Sequence, residues 1–319
     1  MVTPESLGLS LPLMVERAVL IAGPTASGKS ALALALAERL GGEIVNADSM
    51  QLYRELRLLT ARPGPEDEAR IPHHLYGVLP GDRPASAGIW TRLALAAIED
   101  IAARGRVPIV AGGTGLYFRA LTEGLAPIPD IPADVRADVR AEVAATGPER
   151  AHARLADLDP ELAAVLRPSD PQRIARGLEV VRATGRPLSL WQREGQVPAL
   201  EGSLIKVALA PEREALYARC DARFDTMMAG RALDEVRVLV ALGLDPSLPI
   251  MKALGVPPLA AFLAGQMPLE EAVFRAKADT RAYAKRQATW INNQMITWNR
   301  INTKDSESIL SEILSIVDD

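Results

Sequence analysis

Arg17-Ala-Val-Leu-Ile-Ala22, then Gly23-Pro24-Thr25-Ala26-Ser27-Gly28-Lys29-Ser30, then the Ala/Leu run to Leu40: the reading of the fold turns on this stretch. The first six residues have the length and apolarity of a buried strand, and the run from Lys29 to Leu40 reads as a helix stopped by Gly41-Gly42. Between them lies G-x-x-x-x-G-K-[ST], complete, at a strand-to-helix junction. Glycines let the backbone wrap so that its N–H groups and the helix N-terminus face an anion. Lys29 adds a point charge, and the Ser30 hydroxyl is a ligand for Mg²⁺. Gly23 to Ser30 is therefore expected to bind a di- or triphosphate.

Working outward, Glu43 to Asn46 reads as a second strand ending at Ala47-Asp48-Ser49. A turn-rich segment runs to Pro72-His73-His74. A helix from about Ser86 to Arg104 precedes a third strand, Val107 to Ala111, which stops at Gly112-Gly113-Thr114. Strands alternating with helices at this spacing predict βαβ units and a parallel sheet. From Pro127 to Arg193 the text turns Arg-, Asp-, Glu- and Ala-rich with helical periodicity. A strand returns at Leu204 to Leu209, more helices follow, and the tail from Thr303 reads as a last amphipathic helix. The expected fold is α/β: a P-loop NTPase-like parallel sheet flanked by helices, built from residues 1–126 and 194–319, with an inserted all-helical domain at 127–193.

An ATPase or GTPase of this class carries an apolar strand ending in an Asp for magnesium, and a device that positions water. The third strand here ends without an acid. The second ends in Asp48, at the sheet edge where ligands of open α/β sheets bind. A carboxylate there could hold magnesium, take a proton from a nucleophile, or cap the following turn. The residues alone leave these three open.

Gly23–Ser30, Asp48-Ser-Met-Gln-Leu-Tyr53, Thr60-Ala-Arg-Pro63, Pro72-His73, Gly112-Gly-Thr-Gly-Leu-Tyr117, Asp170-Pro-Gln-Arg173 and Lys285-Arg-Gln-Ala-Thr-Trp290 occur in this order. Together they resemble the signatures of bacterial tRNA dimethylallyltransferases over roughly residues 17–300. The resemblance implies attack by N6 of the adenosine 3′-adjacent to the anticodon on C1 of dimethylallyl diphosphate, with pyrophosphate leaving. The phosphate loop then holds a leaving group, and ATP need not take part. It implies Asp48 as general base, Thr114 as an orienting residue and Arg223 as a clamp on diphosphate oxygens. Mg²⁺, held by Ser30, is the implied cofactor. Asp48, Ser49, Met50 and Gln51 match the segment that meets the extruded base. Thr114, Arg136, Pro171, Gln172, Arg173, Ile174, Ala175, Lys285, Arg286 and Gln287 match tRNA-contacting positions.

The segment 275–300 supports RNA binding independently. Arg275, Lys277, Arg281, Lys285, Arg286 and Arg300 face one acid, Asp279, with Tyr283, Trp290 and Trp298 interleaved, which suits phosphate contacts and base stacking. Three places depart from the family. Leu58-Leu59 replaces Ile-Gly before Thr60, which predicts a tilted turn. Gly255-Val256-Pro257 lacks the usual aromatic and cation, and Asn292 replaces a frequent basic residue.

The remaining features exclude more than they add. A net charge of −4 argues against coating nucleic acid through overall charge, though one basic face suffices for tRNA. No apolar run approaches membrane-spanning length, and Met1 to Leu13 reads as a frayed extension, so a cytoplasmic monomer is expected. His73 and His74 lack partners at zinc spacing. The single cysteine, Cys220, reads as packing. Two rival functions are a P-loop small-molecule kinase, with 127–193 as an arginine-rich lid, and a non-catalytic RNA-binding NTPase switch.

Overall fold

The structure, a computed structural model, describes residues 11–194, 196–302, 310, 311 and 313. Its centre is a six-stranded, all-parallel sheet of β1 (Leu13–Ala22), β2 (Gly42–Asn46), β3 (His73–His74), β4 (Val107–Gly112), β5 (Leu200–Leu209) and β6 (Asn299–Ile301), in the order β3-β2-β4-β1-β5-β6. Val19 to Ala22 and all of β2 are buried. Strands covered on both faces lose the apolar/polar alternation, which is why they read as continuous apolar runs.

Two strands are longer than their apolar cores. β1 starts at Leu13 because Leu13 to Val15 pair with Leu200 to Gly202, ahead of an irregularity between Val15 and Arg17. Position 13, expected in a frayed start, is thus in the sheet; residues 1–10 of that expected extension lie outside the described residues. β3 and β6 are too short to show a period, and pairing alone makes them strands.

On one sheet face Leu32, Ala33, Leu36 and Ala37 of α1 (Lys29–Leu40) pack against Val19, Ile21, Ile44 and Ile109. On the other, Trp90, Ala94, Ile98 and Ile101 of α3 (Ala87–Ala103) pack with Tyr117 and Phe118 of α4 (Gly115–Thr122). Ser86 caps α3, its Oγ accepting from the Ile89 N–H at 3.1 Å. After a single-turn 3₁₀ segment (Met50–Leu52), a short α2 (Pro65–Arg70) leads to β3. A third apolar cluster gathers Tyr53, Leu56 and Leu59 with α10 (Arg213–Ala229), α11 (Ala232–Ala241), α12 (Val256–Leu263) and α13 (Leu269–Gln294). The tail helix expected from Thr303 falls largely outside the described residues. No described helix is long and apolar enough to cross a membrane.

The chain divides into two compact units, with Glu123–Pro198 in one and Leu13–Thr122 plus Ala199–Asp319 in the other. The first unit is all helix: α5 (Ala133–Thr146), α6 (Pro148–Leu158), α7 (Pro160–Val165), α8 (Pro171–Thr184) and α9 (Leu188–Arg193). Val139, Leu155, Ile174 and Leu178 form its core. Asp159, fully buried, caps α7 by accepting from the Leu162 N–H at 3.1 Å and anchors α9 by accepting from the Ser189 N–H at 2.9 Å.

Asp159→Ala leaves two buried N–H groups without an acceptor, each worth about 1–3 kcal/mol. Urea titration is expected to show a stability loss of about 2–4 kcal/mol, against a near-neutral change for exposed Asp157→Ala.

Candidate active site

Parallel strands have their carboxyl ends on one edge, and the order β2-β4-β1 places three of those ends side by side within about 10 Å. Hydrogen bonds join them. The Gly23 N–H donates to Gly112 O at 3.2 Å, Ala47 N–H to Ala111 O at 2.8 Å, and Thr114 N–H to Ala47 O at 3.1 Å. Thr114 Oγ1 accepts from the Ser49 N–H at 3.0 Å. The phosphate loop, Asp48 and Thr114 therefore form one continuous edge.

The loop turns through left-handed backbone at Ala26 (φ 61°) and Gly28 (φ 91°), and Gly28 ends it against the first turn of α1. No side chain caps that end, so its N–H groups are left for a ligand. Lys29 Nζ donates to Pro24 O at 3.3 Å. Burial lowers the Lys29 pKa from 10.5 to about 8; the Asp48 carboxylate pulls it back up and Arg223 pushes it down further. The three charges thus share one low-dielectric space. Arg223, on α10, donates to Thr25 Oγ1, and Arg219 Nε donates to Ala26 O at 2.9 Å. Burial lowers the Arg223 pKa too.

Of the roles left open by the sequence, Asp48 takes up the turn-capping one and leaves an oxygen for another. Its Oδ1 accepts from the Met50 N–H at 3.0 Å, which caps the 3₁₀ turn and fixes the carboxylate. Oδ2 takes no hydrogen bond among the described residues. Below it, fully buried Asn46 accepts the Asp48 N–H at 2.8 Å and donates to Asp48 O and Leu75 O, both at 3.0 Å. Burial, and secondarily the charge of Asp48, raise the phenol pKa values of Tyr76, Tyr117 and Tyr283. Tyr117 stacks on Trp90 at 4.2 Å, and Trp90 Nε1 donates to Asn46 O at 2.7 Å.

Gln51 has its amide nitrogen tied to Thr60 O (2.8 Å) and Ala61 O (3.0 Å). That loop is held from α11 by Glu235, whose carboxylate accepts the N–H groups of Arg57, Leu58 and Leu59 at 2.9, 2.8 and 3.1 Å. Leu59 needs no glycine: its backbone lies outside the left-handed region and its side chain is buried beside Phe224. Val256, where the aromatic and cation are missing, is fully buried.

The residues expected to contact RNA divide by exposure. Of the basic residues of 275–300, Arg275 pairs with Glu271, Lys277 with Asp225, and Arg281 with Asp221, while Arg300 donates to Asn292 O. Lys277 and Arg281 thereby pin α13 to α10. Lys285 and Arg286 have no such acid among the described residues, and they line a surface groove with Thr289, Trp290 and Asn293. Trp298 is core, edge-on to Phe118 at 5.4 Å. Gln287 is a correction: its side chain, expected against RNA, is 6% exposed. Its Oε1 accepts the Thr25 N–H at 2.8 Å and its amide donates to Gly113 O at 2.9 Å. In the helical unit, Pro171, Gln172 and Arg173 are exposed, but the side chains of Ile174 and Ala175 are in that unit's core and cannot reach a ligand.

Several of these residues escaped sequence reasoning. A buried polar residue at the end of an apolar strand was the available signal for Asn46. Glu235 and Arg219 gave none. The glycines of Gly112-Gly113-Thr114-Gly115 were the trace of α13: a Cβ at Gly113 would sit 2.2 Å from Gln287 Nε2, and one at Gly115 2.1 Å from the Trp290 ring.

The IPP transferase family matches residues 51–294. The tRNA dimethylallyltransferase of Parvibaculum lavamentivorans is 65% identical over 305 residues, 96% of this chain and 97% of that protein. That of Nitrobacter hamburgensis is 55% identical over 298 residues, 93% and 94% of the two chains. Among solved structures, a tRNA delta(2)-isopentenylpyrophosphate transferase from Staphylococcus epidermidis superposes with TM-score 0.69 at 33% identity, covering 95% of this chain and 99% of that one. A eukaryotic dimethylallyltransferase acting on tRNA superposes with TM-score 0.75 at 30% identity, covering 86% and 70%.

A bound anion favours protonated Lys29 and restores its pKa toward 10.5, so binding takes up a proton above about pH 8. Affinity for inorganic pyrophosphate is expected to be pH-independent through this group below pH 8. It falls as pH rises through 8, by up to about tenfold per unit. Calorimetric titration at pH 7 to 10, compared with Lys29→Met to subtract the probe's own ionisation, measures it. Equal slopes in the two proteins would remove Lys29 from the anion site.

Proposed function

The chain belongs to the IPP transferase family, and from that membership we propose that it transfers the dimethylallyl group of dimethylallyl diphosphate to N6 of the adenosine 3′-adjacent to the anticodon in tRNA, releasing pyrophosphate. The supporting observation is the stitched sheet edge, where the anion cradle lies beside a carboxylate with one oxygen unoccupied.

In this reading the diphosphate lies against the N–H groups that open α1, between Lys29 and Arg223. As N6 attacks C1, the N–C bond forms and the C1–O bond breaks, and the bonding pair leaves on pyrophosphate. N–H groups, ammonium and guanidinium already in place stabilise that charge without reorganising. The N6 proton passes to Asp48 Oδ2, the oxygen not engaged by the turn it caps. Thr114, through Ser49, keeps the Asp48 segment in register with the cradle.

Mg²⁺ fits as a substrate-borne ion. No group of three His, Cys, Asp or Glu among the described residues could hold a metal, while Ser30 is exposed in the first turn of α1. Ser30 would thus supply one ligand and the diphosphate and waters the rest. When bound, the ion neutralises charge on the leaving group.

The acceptor is read as tRNA through Lys285 and Arg286 on α13 and through Arg136, Pro171, Gln172 and Arg173 of the helical unit, taken as the tRNA-contacting insertion. The base must be extruded for its N6 to reach Asp48.

Mass spectrometry of tRNA incubated with the protein, dimethylallyl diphosphate and Mg²⁺ is expected to show a gain of one C5H8 unit; unchanged tRNA would overturn the reading. Asp48→Asn keeps pyrophosphate affinity and lowers turnover by about 10²-fold or more. Near-normal turnover in that variant removes Asp48 as the base. Arg223→Ala weakens pyrophosphate binding and slows turnover together.

A further inference from the structure

We propose that Gln287 makes the phosphate loop selective for an anion of two phosphates over one of three. The proposal rests on the diphosphate reading above and names a determinant within it.

A phosphate loop can hold only as many phosphates as it has donors to offer. Here the donors are unevenly available. Toward the strand end, the Gly23 N–H is bonded to Gly112 O, Pro24 has no N–H, the Thr25 N–H is bonded to Gln287 Oε1, and the Ser27 N–H to Pro24 O at 3.1 Å. Arg219 and Arg223 hold the same segment through Ala26 O and Thr25 Oγ1. Toward the helix end, the N–H groups of Gly28, Lys29 and Ser30 have no protein partner among the described residues. The Ala26 N–H likewise has no protein partner among the described residues, so the cradle offers Ala26, Gly28, Lys29 and Ser30, while Gly23, Pro24, Thr25 and Ser27 offer no free N–H.

The Thr25 bond is the one closure made by a distant side chain rather than by the loop or sheet itself. Gln287 is 262 residues away and buried. Its orientation is not ambiguous. Thr25 offers a donor and Gly113 an acceptor, so the amide oxygen must face Thr25 and the nitrogen Gly113. Gly113 leaves the room for it, since a Cβ there would meet the amide nitrogen. A third phosphate extending past the helix end would find the Thr25 N–H occupied, and charged oxygens lacking donors in a half-buried site are disfavoured. Gln287 acts through Thr25 and does not touch the anion, so it is a positioning residue.

Gln287→Met keeps side-chain length and removes both hydrogen bonds, which opens the Thr25 N–H. Calorimetry with inorganic pyrophosphate and inorganic tripolyphosphate, on the full chain with Mg²⁺, gives the affinity ratio of the two. The wild type is expected to prefer pyrophosphate. The variant is expected to shift the ratio toward tripolyphosphate by about tenfold or more, the effect of one hydrogen bond to a charged group. Loss of packing alone would weaken both anions and leave the ratio unchanged. Should Gln287→Met not fold, Gln287→Asn keeps the amide but is too short to span Thr25 and Gly113, and it predicts the same shift. An unchanged ratio in a folded variant, or a wild type without preference, overturns the role of Gln287. Failure of the wild type to bind pyrophosphate at all overturns instead the diphosphate reading on which it rests.

Discussion

A partly buried ammonium is stabilised by negative charge beside it, and the site is organised around that constraint at Lys29. Burial pulls its pKa to about 8, Arg223 disfavours its charge further, and among the nearby groups it is the Asp48 carboxylate that chiefly counters them. Such a cluster carries surplus positive charge in a half-buried place where water screens it less than at an open surface. It is therefore better matched to an anion that gains charge during reaction than to one that keeps it constant. The constraint reaches outward. Asp48 must stay close to Lys29, which requires β2 beside β4 beside β1, and the Asn46 and Thr114 hydrogen bonds that fix its loop.

In the proposed reaction the carboxylate also accepts a proton, and its two oxygens are placed differently for that. Oδ1 is engaged by the Met50 N–H, so the group cannot rotate away. Oδ2 has no such bond. Tyr76, Tyr117 and Tyr283, whose ionisation is suppressed by burial and by Asp48, stay neutral and leave the local charge to Lys29, Arg223 and Asp48.

The cradle and the central strands themselves were legible in the sequence because both depend on local patterns: a strand-length apolar run, a glycine-bearing turn, an Ala/Leu helix. Asp48 was visible by position at a strand end, but its coupling to Lys29 was not, since two residues nineteen apart meet only once the sheet has formed. Arg223 had no local signature at all; a helical arginine is ordinarily solvated, and here it is drawn inward by Thr25. The basic stretch 275–300 was misleading in a specific way. Charge counting treats each cation as available, whereas Lys277 and Arg281 meet Asp225 and Asp221 of α10, residues some fifty to sixty positions earlier. The short strands β3 and β6 were invisible because two or three residues cannot display a period of two.

Those ion pairs change what α13 is. A helix with six cations on an exposed face would be a nonspecific polyanion binder with steep salt dependence. With Arg275, Lys277 and Arg281 paired with acids and Arg300 held to Asn292 O, Lys285 and Arg286 are the cations of α13 that face outward without a partner acid among the described residues, next to the half-buried Trp290 ring that lies against Gly115. One turn of the same helix turns Gln287 inward to the phosphate loop. A rigid helix cannot shift the outer pair without moving the inner amide, because its backbone hydrogen bonds fix the rotation between residues 285, 286 and 287. The exposed Lys285–Arg286 surface and the side chain that occupies the Thr25 N–H are consequently one mechanical element, held to α10 by Asp221 and Asp225. Arg223, the cradle's other outside contact, projects from that same α10.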